Sequence, residues 1–324
     1  MMIIVSHDEA GDFKTIQEAI NSLPQDNIAP VTILVKPGVY KEKLHLEVPF
    51  VTLKGEDAKA TIFTYDDYAD KLHEDGKKYG TFRSYSFFIG THDIHIENLT
   101  IENSSGFGDQ VGQAIAVYAD GDKISFKNCR LLGHQDTLFT GPLPPAPIQP
   151  GSFIGPRENA ERIIGRQYYE NCYIEGEIDF IFGSATAFFY NCEIFSLNRN
   201  QEVNGYVTAP STDEGEAYGY VFKNCKLTSD CEKHTVYLGR PWRNFAKAVF
   251  IHCEIGEHIK EEGWHNWNKK DAEEQSFFAE AENTGASAAL DKRAHFSHVI
   301  KTSDLKHYSR QAVLCGEDKW MPWT

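Results

Sequence analysis

Apolar positions in this chain alternate with polar ones in short runs and seldom recur at helical spacing. VTILV, VTLKG, IHIENLTIEN, KISFKNCRLLG, QYYENCYIEG, AFFYNCEIF, YVFKNCKLT and AVFIHCEIG each read as a strand, bounded by Gly, Asp, Asn or Lys turns. The exception is Thr15 to Leu23, where Ile16, Ala19, Ile20 and Leu23 fall on one helical face. That spacing predicts one short amphipathic helix, in a cap segment of about 12–24, ahead of an otherwise all-β chain.

The strands carry a repeat. Asn128-Cys129, Asn171-Cys172, Asn191-Cys192 and Asn224-Cys225 each follow an aromatic-rich run, and His252-Cys253 repeats the step with one substitution. Repeats of this length indicate a solenoid or a propeller, and their uneven intervals favour a parallel β-helix, which accepts insertions at its corners. Stacked asparagines would then satisfy one another at a corner while cysteines and aromatics fill the interior. The helix would cover the open end, where unpaired strand edges invite aggregation. The whole chain, 1–324, is expected to form a single β-helix domain. Its rhythm breaks at 141–162, GPLPPAPIQPGSFIGPRENAER, which reads either as a tolerated surface loop or as a lid. The tail from about 285 to 324 carries no readable motif.

Composition narrows the function. A formal net charge of −15 argues against nucleic acid as a partner, because phosphate binding needs clustered Lys and Arg. No run approaches membrane-spanning length. Seven cysteines, five of them at the repeat position, look like buried ladder residues and not a disulfide framework. Free thiols and the absence of a leader pattern lean towards a cytoplasmic location; a secreted or periplasmic one follows if a signal peptide has been removed. No zinc-type spacing appears, and neither a metal nor another cofactor is expected.

Two carboxylates stand in register with the repeat. Asp136 in GHQDTLF and Asp179 in GEIDFIFG each lie eight residues beyond an asparagine of the ladder. Equal offsets place them at equivalent points of neighbouring coils, about 4.8 Å apart along the stack. Two carboxyls that close cannot both ionise freely. Strand alternation sends Asp179 and Ile181 outward, with Phe180 and Phe182 inward. It also sets Gln135 opposite Asp136, so both reach one cleft only if the chain bends around 133–135.

GVYKEKL, GQAIAV, GHQDTLF, DFIFG and LGRPW occur in that order, and together they closely resemble the pectin methylesterases. The likeness runs from about Asp12 to Thr284. It implies a right-handed parallel β-helix that removes methyl esters from polygalacturonate. By that resemblance Asp179 is the nucleophile, and Asp136 is first general acid and then general base. Gln113 and Gln135 donate to the oxyanion, and Arg240 keeps Asp179 ionised. Trp242 and Trp264 match sugar-stacking aromatics, with Phe82, Thr81 and Phe182 completing the substrate-binding set. The partners implied are a methyl-esterified polygalacturonate or oligogalacturonide and water, acted on by a monomer. His134 replaces a common tyrosine, and the 141–162 segment is longer than is usual in the family. The insertion and the acidic surface suggest short oligogalacturonides over polymer. A polygalacturonate lyase, a glycosidase and a non-catalytic sugar-binding β-helix remain as alternatives.

Overall fold

The computed structural model describes residues 1–8 and 11–324. Its strands form three sheets of eleven, seven and eight strands, and the strand ladders are parallel. Each complete coil contributes one strand to each sheet, and the partial coils at the two ends account for the extra strands of the largest. In one coil these are Ile124–Lys127, Arg130–Leu132 and Leu138–Thr140; in the next, Arg166–Glu170, Tyr173–Gly176 and Ile178–Gly183. This is the parallel β-helix expected from the repeat.

Stacking like residues on like explains why the coils stay in register. Phe126, Tyr169, Phe189, Phe222 and Phe250 form one interior column with successive ring centroids 5.0, 4.5, 4.4 and 4.4 Å apart and nearly parallel planes. Beside it the five repeat cysteines are buried and unpaired, each thiol directed at a carbonyl of the preceding coil. At the corner outside them, Asn171 Nδ2 donates to Asn128 Oδ1 at 3.3 Å, and Asn191 Nδ2 to Asn171 Oδ1 at 2.6 Å. Asn98, Asn128, Asn171, Asn191 and Asn224 all have φ between 53° and 57°, a left-handed conformation that asparagine tolerates better than most side chains.

The helix covers Ile16–Asn21, with Thr15 accepting from the Glu18 N–H and with Ile16, Ala19 and Ile20 buried. Its first two N–H groups donate to the Glu42 carboxylate, at 2.9 and 3.0 Å. At the other end of the chain, Asp318 pairs with Arg166 at 2.7 Å, while Trp320 and Trp323 pack on an outer apolar cluster with Tyr168, Phe188 and Leu314. Among the described residues no helix is long and apolar enough to cross a membrane.

A further cluster decides where the site lies. Phe82, Tyr85, Phe88, Tyr118, Phe139 and Phe182 cover the outer face of the seven-stranded sheet, with Trp242 and Trp267 against them. Such an aromatic face on the outside of a solenoid forms the floor of a cleft.

Candidate active site

Both aspartates sit where the chain turns from the eight-stranded into the seven-stranded sheet. Leu138 pairs with Ile181 and Phe139 with Phe182, so the register sets Asp136 beside Asp179 on consecutive coils. Both are left-handed, with φ of 67° and 50°. In the first coil a turn over Gln135 and Asp136 supplies the bend that strict alternation lacks, and both side chains line one cavity. In the second, the register shifts between Ile178 and Ile181. The expected alternation therefore fails beyond Asp179. Ile181 joins the interior with Phe180, whereas Phe182 turns out into the aromatic cleft. The bulge reconciles a buried run with a lining phenylalanine.

The cavity encloses about 330 Å³, with Gln113, Gln135, Asp136, Asp179 and Arg240 meeting at its base. Arg240 grips Asp179 through two parallel hydrogen bonds, Nε to Oδ1 at 2.8 Å and Nη2 to Oδ2 at 2.7 Å. Its guanidinium lies between two rings, 3.8 Å from the Tyr206 centroid and 3.7 Å from that of Trp267. Held by both planes, Arg240 has little freedom to leave the carboxylate. Burial pushes the Asp136 carboxyl well up from its ordinary range, and the neighbouring Asp179 charge pushes it further. Burial also raises Asp179, but Arg240 draws it back. Asp179 is thus the member of the pair that ionises first. Among the described residues, neither the Gln113 nor the Gln135 side-chain amide has a hydrogen-bond partner, so both can donate to an incoming oxygen.

Thr81, Phe82, Phe182 and Trp242 all line the cavity. Trp264 does not. It is 2% exposed, stacks on Phe278 at 4.5 Å and donates to Glu280. Its bridge to Gly239 faces the ring inward, and the turn that follows carries Trp267 into the cleft instead.

Several lining residues escaped the sequence reading. Ile148, Gln149, Ser152 and Phe153 come from the 141–162 segment, which is a wall of the cavity. Phe153 meets Phe82 edge-on at 5.6 Å, and Arg157 pairs with buried Asp120 at 3.1 Å. Arg162 pairs with Asp213 at 2.8 Å. Behind Gln135, the fully buried Glu177 accepts from the Gly108 N–H at 2.6 Å and approaches His134 at 3.6 Å. A side chain at 108 would collide with both Gln135 and Glu177, so only glycine lets that turn lie against them. The close approach of 108 to 177 joins residues 69 apart in the chain and has no sequence pattern.

The Pectinesterase family model matches residues 2–142 and 161–317, resuming just where the insertion ends and continuing well beyond Thr284. Pectinesterase 31 of Arabidopsis thaliana is 31% identical over 99% of this chain and 94% of its own length. Pectinesterase 2 of Olea europaea is 34% identical over 99% of this chain and 79% of its own. The pectin methylesterase PemA from Erwinia chrysanthemi superposes with a TM-score of 0.81 at 28% identity, covering 99% of this chain and 98% of that one. A pectin methylesterase in complex with a hexasaccharide superposes with the same score, identity and coverage. The matched span, the identity and the shared coil architecture together make this chain a member of the pectinesterase family, and hence a carboxylic ester hydrolase.

Proposed function

We propose that the chain removes methyl esters from the galacturonate units of pectin by covalent catalysis at Asp179. The observation that carries this is the bidentate Arg240–Asp179 pair standing beside a carboxyl, Asp136, that burial and charge keep protonated. One Asp179 oxygen attacks the ester carbonyl carbon, and the negative charge moves to the carbonyl oxygen. The Gln113 and Gln135 amides hydrogen-bond that oxyanion without bringing a competing charge into the ground state. The carbon–methoxy bond then breaks, Asp136 gives its proton to the departing oxygen, and methanol leaves an acyl-Asp179 anhydride. Water attacks the substrate-derived carbonyl while the Asp136 carboxylate takes its proton. The second collapse frees the galacturonate carboxyl and returns Asp179 as a carboxylate and Asp136 as an acid.

The wall formed by 141–162 supports a finer reading, a preference for short methylated oligogalacturonides over long polymer. Its exposed tip narrows the mouth, and the chain's overall negative charge opposes a polyanion. The five ladder thiols are kept apart from oxidants by burial, so they no longer favour a reducing compartment. We therefore infer that the enzyme meets its pectin outside the cytoplasm, acting as a monomer built of one continuous β-helix domain whose N-terminal helix covers the first coil.

Methanol release from equal masses of methylated oligogalacturonides and long pectin tests both readings. Wild-type protein should release methanol from each and act faster on the oligomers, and Asp179→Asn should lower turnover by about 10³ or more. Near-normal turnover in that variant removes Asp179 from its role, and faster action on long pectin defeats the oligomer preference.

A further inference from the structure

Gln135 lies between two coils that one buried acid joins across it. Its own coil is stitched to the following one on either side: the Glu177 N–H donates to the His134 carbonyl at 3.0 Å, and the Asp136 N–H to the Ile178 carbonyl at 3.1 Å. Towards the preceding coil, the Ala114 N–H donates to the Gln135 carbonyl at 3.0 Å. These bonds fix the Gln135 backbone. Its side chain, free of hydrogen bonds among the described residues, must be held by packing.

Glu177 controls that packing. The residue is fully buried, and its side chain passes behind Gln135 to the coil beyond, where Oε1 accepts from the Gly108 N–H at 2.6 Å. Gly108 opens the single helical turn Gly108–Val111, which has no side-chain cap from Phe107 before it. A carbon built on Gly108 would stand 2.5 Å from Gln135 Oε1 and 2.8 Å from Glu177 Oε1, so the turn lies directly against both side chains. The amide oxygen of Gln135 is therefore the end packed on the turn. An oxyanion needs the other end, the NH2. The second Glu177 oxygen faces His134 Nδ1 at 3.6 Å and Arg199 Nε at 4.0 Å, too far for a hydrogen bond to either. Among the described residues, the bond to Gly108 is thus the directional contact of this carboxyl.

We propose that Glu177 is a positioning residue for ester cleavage: by holding the Gly108 turn against Gln135, it fixes the rotamer that presents the Gln135 NH2 to the developing oxyanion. A glutamine without that backing samples several rotamers, and only some of them aim the donor at the substrate. An oxyanion donor stabilises the transition state most when it is already in place and does not have to reorganise during the reaction. The inference rests on the pectin-esterase reading, in which Gln135 serves the oxyanion, and adds the residue that holds Gln135 in place. It assigns the effect of Glu177 to reach and not to charge, so two conservative replacements should behave differently. Glu177→Gln keeps the length and an oxygen for the Gly108 N–H. Glu177→Asp keeps the carboxyl but is one methylene too short to meet it.

The test measures methanol release from methyl-esterified pectin by wild type, Glu177→Gln, Glu177→Asp, Gln135→Ala and the double variant Glu177→Asp/Gln135→Ala. Gln135→Ala should lower kcat by about 10². Glu177→Asp should lower kcat by about tenfold with KM within about twofold, and Glu177→Gln should stay within about threefold of wild type in both. Once Gln135 is gone, Glu177 has no donor to position, so adding Glu177→Asp to Gln135→Ala should cost less than about twofold further. A residue needed only for folding or for its charge gives another pattern: the same tenfold loss in both backgrounds, or a larger loss in Glu177→Gln than in Glu177→Asp. Either result, or an unchanged kcat in Glu177→Asp, overturns the assignment. Failure of the parent reading looks different, because then wild type releases no methanol or Gln135→Ala keeps a near-normal kcat.

Discussion

The asparagine corner and the aspartate cleft use the same backbone device for opposite ends. At both places a polar residue adopts left-handed φ at a matching point of successive coils, 53° at Asn128 and Asn171 and 67° and 50° at Asp136 and Asp179. At the corner, each amide has a donor for one neighbour and an acceptor for the other, so the stack closes on itself. Carboxylates cannot do this. Ionised, they only accept, and two of them stacked a coil apart must either share a proton or borrow a cation. Here Arg240 serves Asp179, and burial beside that charge pushes the Asp136 carboxyl up from its ordinary range. The difference between scaffold and chemistry is one of side-chain hydrogen-bond complementarity, with backbone geometry held in common.

Converting one region into the other gives the largest expected effect. Asp136→Asn keeps a residue that accepts left-handed φ but cannot give up a proton, so turnover should fall by about 10³. The same change should make the protein more stable at neutral pH. A carboxyl whose folded pKa is raised binds more protons when folded than unfolded, so its contribution to stability declines as pH rises above the unfolded pKa. Removing the titration should raise Tm by roughly 2 °C at pH 7, with the gain vanishing at acid pH. A lower Tm at pH 7 would mean that Asp136 is a structural residue like those of the ladder.

Arg240→Gln probes the borrowed cation. Turnover should fall by about 10². Activity requires ionised Asp179, and without Arg240 its pKa rises, so the acid limb of the kcat/KM profile should move to higher pH. An unmoved limb would show that the guanidinium does not set the ionisation order.

The smallest catalytic effect belongs to the corner. Asn171→Ala loses its contacts with Asn128 and Asn191 and puts alanine at φ 53°, a cost of about 1–2 kcal/mol in urea unfolding. The kcat should be unchanged. Asn171→Gly keeps the conformation but not the hydrogen bonds and separates the two contributions. If Asn171→Ala slows turnover as strongly as Asp136→Asn, the corner and the cleft are not independent.

Much of this was legible in the sequence because a solenoid writes its third dimension as a repeat. The asparagine–cysteine step located the corner, its offset located both aspartates, and aromatic residues at fixed places foretold an interior column. Legibility ended where the coil stops being regular. Trp264 and Trp267 were indistinguishable as letters, yet one stacks in the interior and the other holds Arg240. Phe182 faced the core by alternation, until the register shift turned it to the cleft.

What the sequence by itself determined is the coil: which residues stack, which faces are buried, and that two carboxylates recur at one position. These are local and periodic properties, repeated often enough along the chain to be read. Only the tertiary structure decided how the carboxylates differ, because that depends on Arg240, 61 residues beyond Asp179, and on the rings that fix it. It also brought the 141–162 wall over the cleft. Electrostatic environment is set by everything within a few ångströms, and in a β-helix most of that comes from other coils.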